Sequence, residues 1–323
     1  MRLLTTLSAV LLLSTGCGGG SRGGVTPTPA SRRVTFVAFL DENRNGLLDP
    51  SESIRIPGAE VSFGAASGRS AVLNGEVSLD VLQMAQTLSV NPASLPPHYR
   101  GPESSVVTPP LAGTLNVPIT LPIGSGAVPG VFLAFGDSIT NGQASVGDGQ
   151  GYTGQLERAL SAHFGKARVI NDGVDSSNSE KGDSRISDSL AGGRPAFTLI
   201  LYGTNDWADP RCRESPCFTI SSLRSMVRKV KAQGGFPFVG TLLMTSAGND
   251  PRASLQRNAW VVVQNEFIGR MALDEGVVLV DLHAAFERSP LQYSELFADS
   301  IHPSTEGYKL LAQTWFEAIT TRR

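Results

Sequence analysis

Cysteine and histidine are scarce, with 3 and 4 residues in a chain of 323. So few thiols exclude a scaffold built on many disulfides. Neither sign of charge dominates: 27 Lys and Arg stand against 29 Asp and Glu, the formal net charge is −2, and no basic block occurs. That balance argues against a nucleic-acid partner, because phosphate binding needs clustered Lys and Arg. Long apolar runs are missing too. The opening stretch, MRLLTTLSAVLLLSTGCGGG, carries Arg2, an apolar segment too short to span a bilayer, and then small residues. It has the form of a secretory signal. Elsewhere, 41% hydrophobic and 17% charged residues fit an ordinary folded protein, and the length allows two domains.

Export gives the cysteines a setting. Cys212 and Cys217 bracket the short segment CRESPC, and in an oxidising compartment such a pair persists as a disulfide. Zinc is the rival reading, but no second Cys or His pair lies nearby in sequence. The third cysteine, Cys17, closes the signal. The signal resembles that of a bacterial lipoprotein, in which residues 1–16 are removed and Cys17 carries the lipid. Ser14 departs from that pattern, where Leu is usual three residues before the cysteine. Gly18 is not the acidic residue linked to inner-membrane retention, so the resemblance implies an exported lipoprotein of the cell envelope, at the outer membrane. An ordinary signal with a chance cysteine is the plainer alternative.

Residues 17–32 are rich in Gly, Ser, Pro and Thr without periodicity and read as a flexible tether. Residues 33–123 contain short alternating segments (VTFVAFL, AEVSF, AVLNGEVSLDV, TLSV, TLNVPITL) separated by turn residues, which predicts a small all-β sandwich. GSGAVPG at 124–130 reads as a second linker. From 131 to 323 the pattern changes. Apolar runs of strand length (VFLAFG, ARVIN, FTLILYG, FPFVGTLLM, GVVLVDL) alternate with helix-like stretches. This predicts an α/β domain with a parallel sheet covered on both faces. Ligands of such sheets bind beyond the carboxyl ends of the strands, and FGDS, NDG and GTND all fall there.

Ser138, in FGDSITNG, is then a candidate nucleophile or a turn residue between strand and helix. A nucleophilic serine needs a base, a group that orients the base, and donors for the oxyanion. Of the histidines, His98 lies in the β-region, His163 near a helix end and His283 directly after a buried strand, all positions that suit structural roles. His302 stands apart in ADSIHPSTEGY, with Asp299 three residues earlier. A D-x-x-H turn brings a carboxylate to one ring nitrogen and leaves the other free to take the serine proton. An acidic cap on a helix turn is the alternative use of the same residues.

GDSITNG, NDG, GTND and DSIHP occur in this order at strand ends, and together they resemble the SGNH, or GDSL, hydrolase family over residues 131–323. Within it the chain looks similar to secreted lysophospholipase/thioesterase and acetylesterase types. The resemblance implies a flavodoxin-like three-layer sandwich with a five-stranded parallel sheet and no cofactor for catalysis. It makes Ser138 the nucleophile, His302 the base and Asp299 its orienting acid. Asn205 becomes the side-chain oxyanion donor and the Ser138 N–H another. Asp137 and Asp206 are expected to brace turns. One block departs from the family: Ser176 stands where a glycine usually gives the third donor, while Gly173 occupies an earlier glycine position. Any residue but proline can supply an N–H, yet a serine would be strained if the turn needs positive φ.

In the β-region, Asp41, Asn43, Asn45, Gly46 and Glu52 of LDENRNGLLDPSES fit D-x-[DN]-x-[DN]-G-x5-E. Leu47 would add its carbonyl and Asp49 a further position around one structural Ca²⁺. With IPGAEVSF following, the region resembles calcium-binding B-type repeats of bacterial surface adhesins. An acidic surface turn is the alternative. The chain reads as a monomeric, membrane-anchored serine esterase acting on lipolytic or aryl esters. Carbohydrate O-deacetylation is the enzymatic alternative, and a non-catalytic envelope or glycan-binding protein is the alternative of another class.

Overall fold

A computed structural model describes residues 30–111, 113–145, 151–246 and 251–322. The signal, Cys17 and most of the 17–32 tether lie outside the described residues. The N-terminal region builds β1 (Ser31–Leu40), β2 (Glu60–Phe63), β3 (Ala66–Arg69), β4 (Glu76–Leu82), β5 (Gln86–Val90), β6 (Ser105–Val107) and β7 (Thr114–Ile119). They form a sheet of order β4-β1-β7 and a second of order β3-β2-β5-β6. Alternation decides which side chains face inward: along β7, Leu115, Val117 and Ile119 are buried while their neighbours are not. Phe36 of β1 meets Phe63 of β2 at 5.3 Å between ring centroids, so the two sheets share one interior.

The larger region runs β8 (Val128–Gly136), α1 (Ser138–Asn141), α2 (Gly151–Phe164), β9 (Arg168–Gly173), α3 (Ser179–Gly193), β10 (Pro195–Leu201) and α4 (Phe218–Ala232). It continues with β11 (Phe236–Gly240), α5 (Pro251–Glu275), β12 (Val278–Val280), α6 (Leu282–Glu287), α7 (Tyr293–Leu296) and α8 (Thr305–Thr320). The five strands are parallel, in the order β12-β11-β10-β8-β9. Every residue of β10 is buried, as the central strand of a sheet covered on both faces requires. Period-two alternation splits the core. Leu133, Phe135, Ile200 and Val239 pack with side chains of α3, α4 and α5. Phe132, Ala134, Leu199 and Phe238 face the other way, with Leu156, Leu160 and Trp315 of α2 and α8. This is the flavodoxin-like three-layer arrangement.

Two predicted boundaries need correction. Residues 124–130 are not a free linker, because β8 begins at Val128, whose N–H bonds Arg194 O, and Gly124 N–H bonds Gly234 O. Gly and Pro gave the segment a linker's composition while its backbone groups are taken up by neighbours. Likewise β1 begins at Ser31, inside the expected tether. The β-region is also not merely strung to the α/β region. Tyr99 stacks near Phe164 (6.1 Å) and Phe197 (6.2 Å), Arg55 N–H bonds Phe164 O, and Arg322 donates to Tyr99 O.

Candidate active site

The first strand of the α/β region ends at Gly136, and the chain turns through Asp137 into α1, which places Ser138 at a helix N-terminus. The turn is tight. A Cβ on Gly136 would lie 2.0 Å from Thr140 Oγ1, and one on Gly173 would lie 2.1 Å from Asn141 N. Only glycine lets α1 settle on the ends of β8 and β9, which pair at these two residues. Asp137 is fully buried and caps α1, its Oδ1 accepting from Ile139 N–H at 3.0 Å.

His302 and Asp299 come from the loop between α7 and α8. Ser138 Oγ lies 2.9 Å from His302 Nε2, and His302 Nδ1 lies 2.7 Å from Asp299 Oδ2. A carboxylate only accepts, so Nδ1 carries the proton and Nε2 is free to accept from the serine hydroxyl. Asp299 Oδ1 takes the backbone N–H groups of Ile301 and His302 at 2.8 and 2.7 Å. Partial burial would raise this carboxyl. The His302 and Ile301 N–H groups and the His302 ring outweigh burial and hold it below its ordinary value. Ser138 and His302 are buried, at 4% and 6% exposure. His98, His163 and His283 lie elsewhere: the first stacks on Phe236, the second packs against Phe164 and Phe316, and the third sits 3.5 Å from Glu287.

The candidate oxyanion donors sit on α1 itself, on the turn after β9 and on the loop after β10. The N–H groups of Ser138 and Ser176 have no hydrogen-bond partner among the described residues. Gly173 N–H is already given to Asn171 Oδ1 at 3.1 Å, which favours Ser176 as the second backbone donor, beside Ser138. Ser176 is exposed and adopts φ 56°, the left-handed conformation that glycine takes without cost. Asn205 Nδ2 donates to Ser177 O at 3.0 Å and sits 3.5 Å from Asp137 Oδ2. The structure thus joins the Ser176 turn to the Asn205 loop.

Asp206 is buried and accepts from Ser179 N–H (2.8 Å), Ser179 Oγ (2.6 Å) and Thr219 Oγ1 (2.5 Å). Cys212 and Cys217 are joined by a disulfide with Cα atoms 5.0 Å apart. Some participants had no sequence signal. Arg185, on α3, donates to Asp172 Oδ1 (2.6 Å) and Gly136 O (3.2 Å) and lies 4.1 Å over the Phe135 ring, so it braces the strand end beneath Ser138. Arg257 donates to Thr204 O, and Tyr308 OH to Gln143 O. These contacts cross from one element to another, and no local spacing encodes them.

Burial pushes the Asp137 carboxyl up to about 7; Asp206 adds to the rise, while the Ile139 N–H and Arg257 oppose it. A raised carboxyl favours folding in its protonated form. That contribution is full below ~4, where the unfolded group is also protonated, and is lost as pH rises through about 7. Asp137→Asn, neutral throughout, is therefore expected to gain in melting temperature relative to the natural protein as pH goes from ~4 to ~7. Paired thermal melts check this, and a difference that does not vary with pH contradicts it.

In the calcium-type loop, Asp41 and Glu52 are buried carboxylates at 5% and 3% exposure. Asp41 accepts the Asn45 and Gly46 N–H groups, and Glu52 those of Glu42 and Asp49. Asn43 and Asn45 both reach Asp49 Oδ2, at 2.7 and 2.9 Å. Leu47 exposes its side chain. Among the described residues, no three of His, Cys, Asp or Glu are gathered as a metal-holding group. The donor set is carboxylate and amide oxygen with one main-chain carbonyl, which suits a hard cation in chemistry.

A doubly wound parallel sheet with serine, histidine and carboxylate linked beyond its strand ends defines a hydrolase of the serine type on a flavodoxin-like fold. Residues 134–310, more than half of the chain, match the GDSL-like lipase/acylhydrolase family, and the protein belongs to it. Two solved structures share the fold. An alpha/beta hydrolase enzyme from the metagenome of Lake Arreo, Spain, is 22% identical over 62% of this chain and 100% of that one, with a TM-score of 0.51. An acetylxylan esterase from Geobacillus stearothermophilus is 21% identical over 62% of this chain and 98% of that one, with a TM-score of 0.50. No curated protein matches in sequence.

Proposed function

We propose that this hydrolase is an exported serine esterase that cleaves carboxylic esters, lipolytic or aryl, through an acyl-enzyme on Ser138. The observation that supports it is the Ser138 Oγ–His302 Nε2–Asp299 chain, with contacts of 2.9 and 2.7 Å. In this reading Ser138 Oγ attacks the ester carbonyl carbon while its proton passes to His302 Nε2. Asp299 stabilises the imidazolium that forms. The N–H groups of Ser138 and Ser176 and the Asn205 amide take the charge that develops on the carbonyl oxygen. The proton then goes to the leaving alcohol oxygen as the C–O bond breaks. Water attacks the acyl-enzyme by the same route, with His302 as base, and releases the acid and Ser138.

The test is hydrolysis of p-nitrophenyl esters of increasing acyl length by the whole protein. Turnover is expected, and its chain-length profile separates lipolytic from short-acyl substrates. No release from any ester at any length contradicts the esterase reading. The lipid on Cys17 and an outer-membrane location belong to the same proposal, supported by the form of the signal sequence.

A structural Ca²⁺ held by Asp41, Asn43, Asn45, the Leu47 carbonyl, Asp49 and Glu52 completes it. Two buried carboxylates on one surface loop, with no cationic side chain among the described residues bonded to them, support this part. Ca²⁺ is expected to raise the melting temperature of the whole protein, since a ligand of the folded state alone stabilises it by mass action. EGTA should reverse the rise without changing ester turnover. An unchanged melt, with no ion detected by calorimetry, contradicts the assignment.

A further inference from the structure

We propose that Asp206 is the positioning residue of the oxyanion hole, fixing the turn that carries Ser176 against the loop that carries Asn205. The proposal deepens the esterase reading and rests on it. Asp206 follows Asn205 directly and is fully buried, as are Ser179 and Thr219, which bond to it. Its Oδ1 accepts from Ser179 N–H at 2.8 Å, and its Oδ2 from Ser179 Oγ at 2.6 Å and Thr219 Oγ1 at 2.5 Å. One carboxylate therefore ties three pieces of backbone: its own loop, the first residue of α3 after the Ser176 turn, and the first turn of α4.

Asn205 Nδ2 reaches the same turn through Ser177 O at 3.0 Å. The two donors are thus held by a double fastening, one side chain making the contact and the next residue locking it. Thr219 is itself seated against the disulfide, with its Oγ1 3.4 Å from Cys212 Sγ and 3.1 Å from Cys217 Sγ. Asp206 has no hydrogen bond to Ser138 or His302, so it acts through the donors and not on the reacting atoms. An anchor suits this turn: Ser176 is exposed and holds φ 56°, a conformation strained for a serine.

The experiment measures kcat and KM on p-nitrophenyl acetate for the whole protein, Asp206→Ala, Asp206→Asn, Asn205→Ala and the Asn205→Ala/Asp206→Ala double variant, with thermal melts alongside. Asp206→Ala is expected to lower kcat by roughly 10–100-fold with KM little changed, since a small misplacement of a transition-state donor costs rate more than ground-state binding. Asp206→Asn should recover most of the loss, because the amide keeps the shape and the two hydroxyls can turn to accept from it. The double variant should lose at least ~3-fold less than the product of the single losses, as coupled sites do.

Multiplicative losses overturn the proposal, as does a rise in KM at unchanged kcat. If Asp206→Ala does not fold, Thr219→Val and Ser179→Ala each remove one fastening and enter the same cycle with the same expected coupling. An active natural protein with an equally active, folded Asp206→Ala overturns this proposal alone. A natural protein that hydrolyses no ester overturns the esterase reading beneath it.

Discussion

Ser138→Ala or His302→Ala is expected to lower ester turnover by ~10⁴–10⁶-fold while leaving the fold intact, because members of a triad act as a unit and losing one forfeits most of what the set achieves. The geometry explains why neither loss can be compensated. Among the described residues Ser138 Oγ has one base in reach, His302 Nε2 at 2.9 Å, and the other histidines lie in separate packing environments. Combining the two substitutions should cost little more than either alone. Asp299→Asn should fall less far. The His302 ring would lose its ionised partner at 2.7 Å, but an amide oxygen can still take the Ile301 and His302 N–H groups that shape the turn. Steady-state rates on one short-chain ester, with circular dichroism to verify folding, decide the point. A folded Ser138→Ala protein that turns over at the natural rate contradicts it.

The second large effect belongs to the oxyanion donors. Asn205→Ala is expected to lower kcat by ~10²–10³-fold, the usual cost of one lost donor. KM should change little, because the contact strengthens only as charge develops on the substrate oxygen. Ser176→Gly should keep activity or raise it. Glycine retains the N–H and takes φ 56° without the strain a serine bears there. A proline at 176 is a poor probe, since its ring fixes φ near −65° and would break the turn along with the donor. If folded Ser176→Gly is inactive, the hydroxyl is chemically involved and the backbone assignment is wrong. If Asn205→Ala turns over within a few-fold of the natural protein, its amide is not an oxyanion donor.

Much of this site could be read from the sequence because its parts are local. FGDS, GTND and DSIHP each place a functional residue at the end of an element, and the strand-length apolar runs before the first two mark which end. Asp299 and His302 lie three residues apart, so their contact is built into a single turn. The sandwich was visible for a similar reason, since inward residues such as Leu115, Val117 and Ile119 alternate with polar ones. What escaped is non-local or depends on the partner. Arg185 sits on α3, a helix whose buried face is only Ser179, Gly182, Ile186 and Leu190 within a polar segment, and nothing in SEKGDSRISDSLAGG says that its arginine supports Gly136 and Asp172. The packing of Tyr99 on Phe164 and Phe197 was hidden too, because GSGAVPG has a linker's composition whatever its ends are bonded to. Ser176 was the one residue whose φ carried the question, and no sequence pattern fixes a dihedral for a serine in a turn.

The central claim is that Ser138 is the activated nucleophile, and intact-protein mass spectrometry after treatment with a fluorophosphonate tests it most directly. The account predicts one phosphonyl adduct, mapped by peptide digestion to Ser138, with ester turnover lost in proportion to labelling and no adduct on Ser138→Ala. An unlabelled Ser138 in protein that hydrolyses esters, or an adduct that persists in Ser138→Ala, would contradict it.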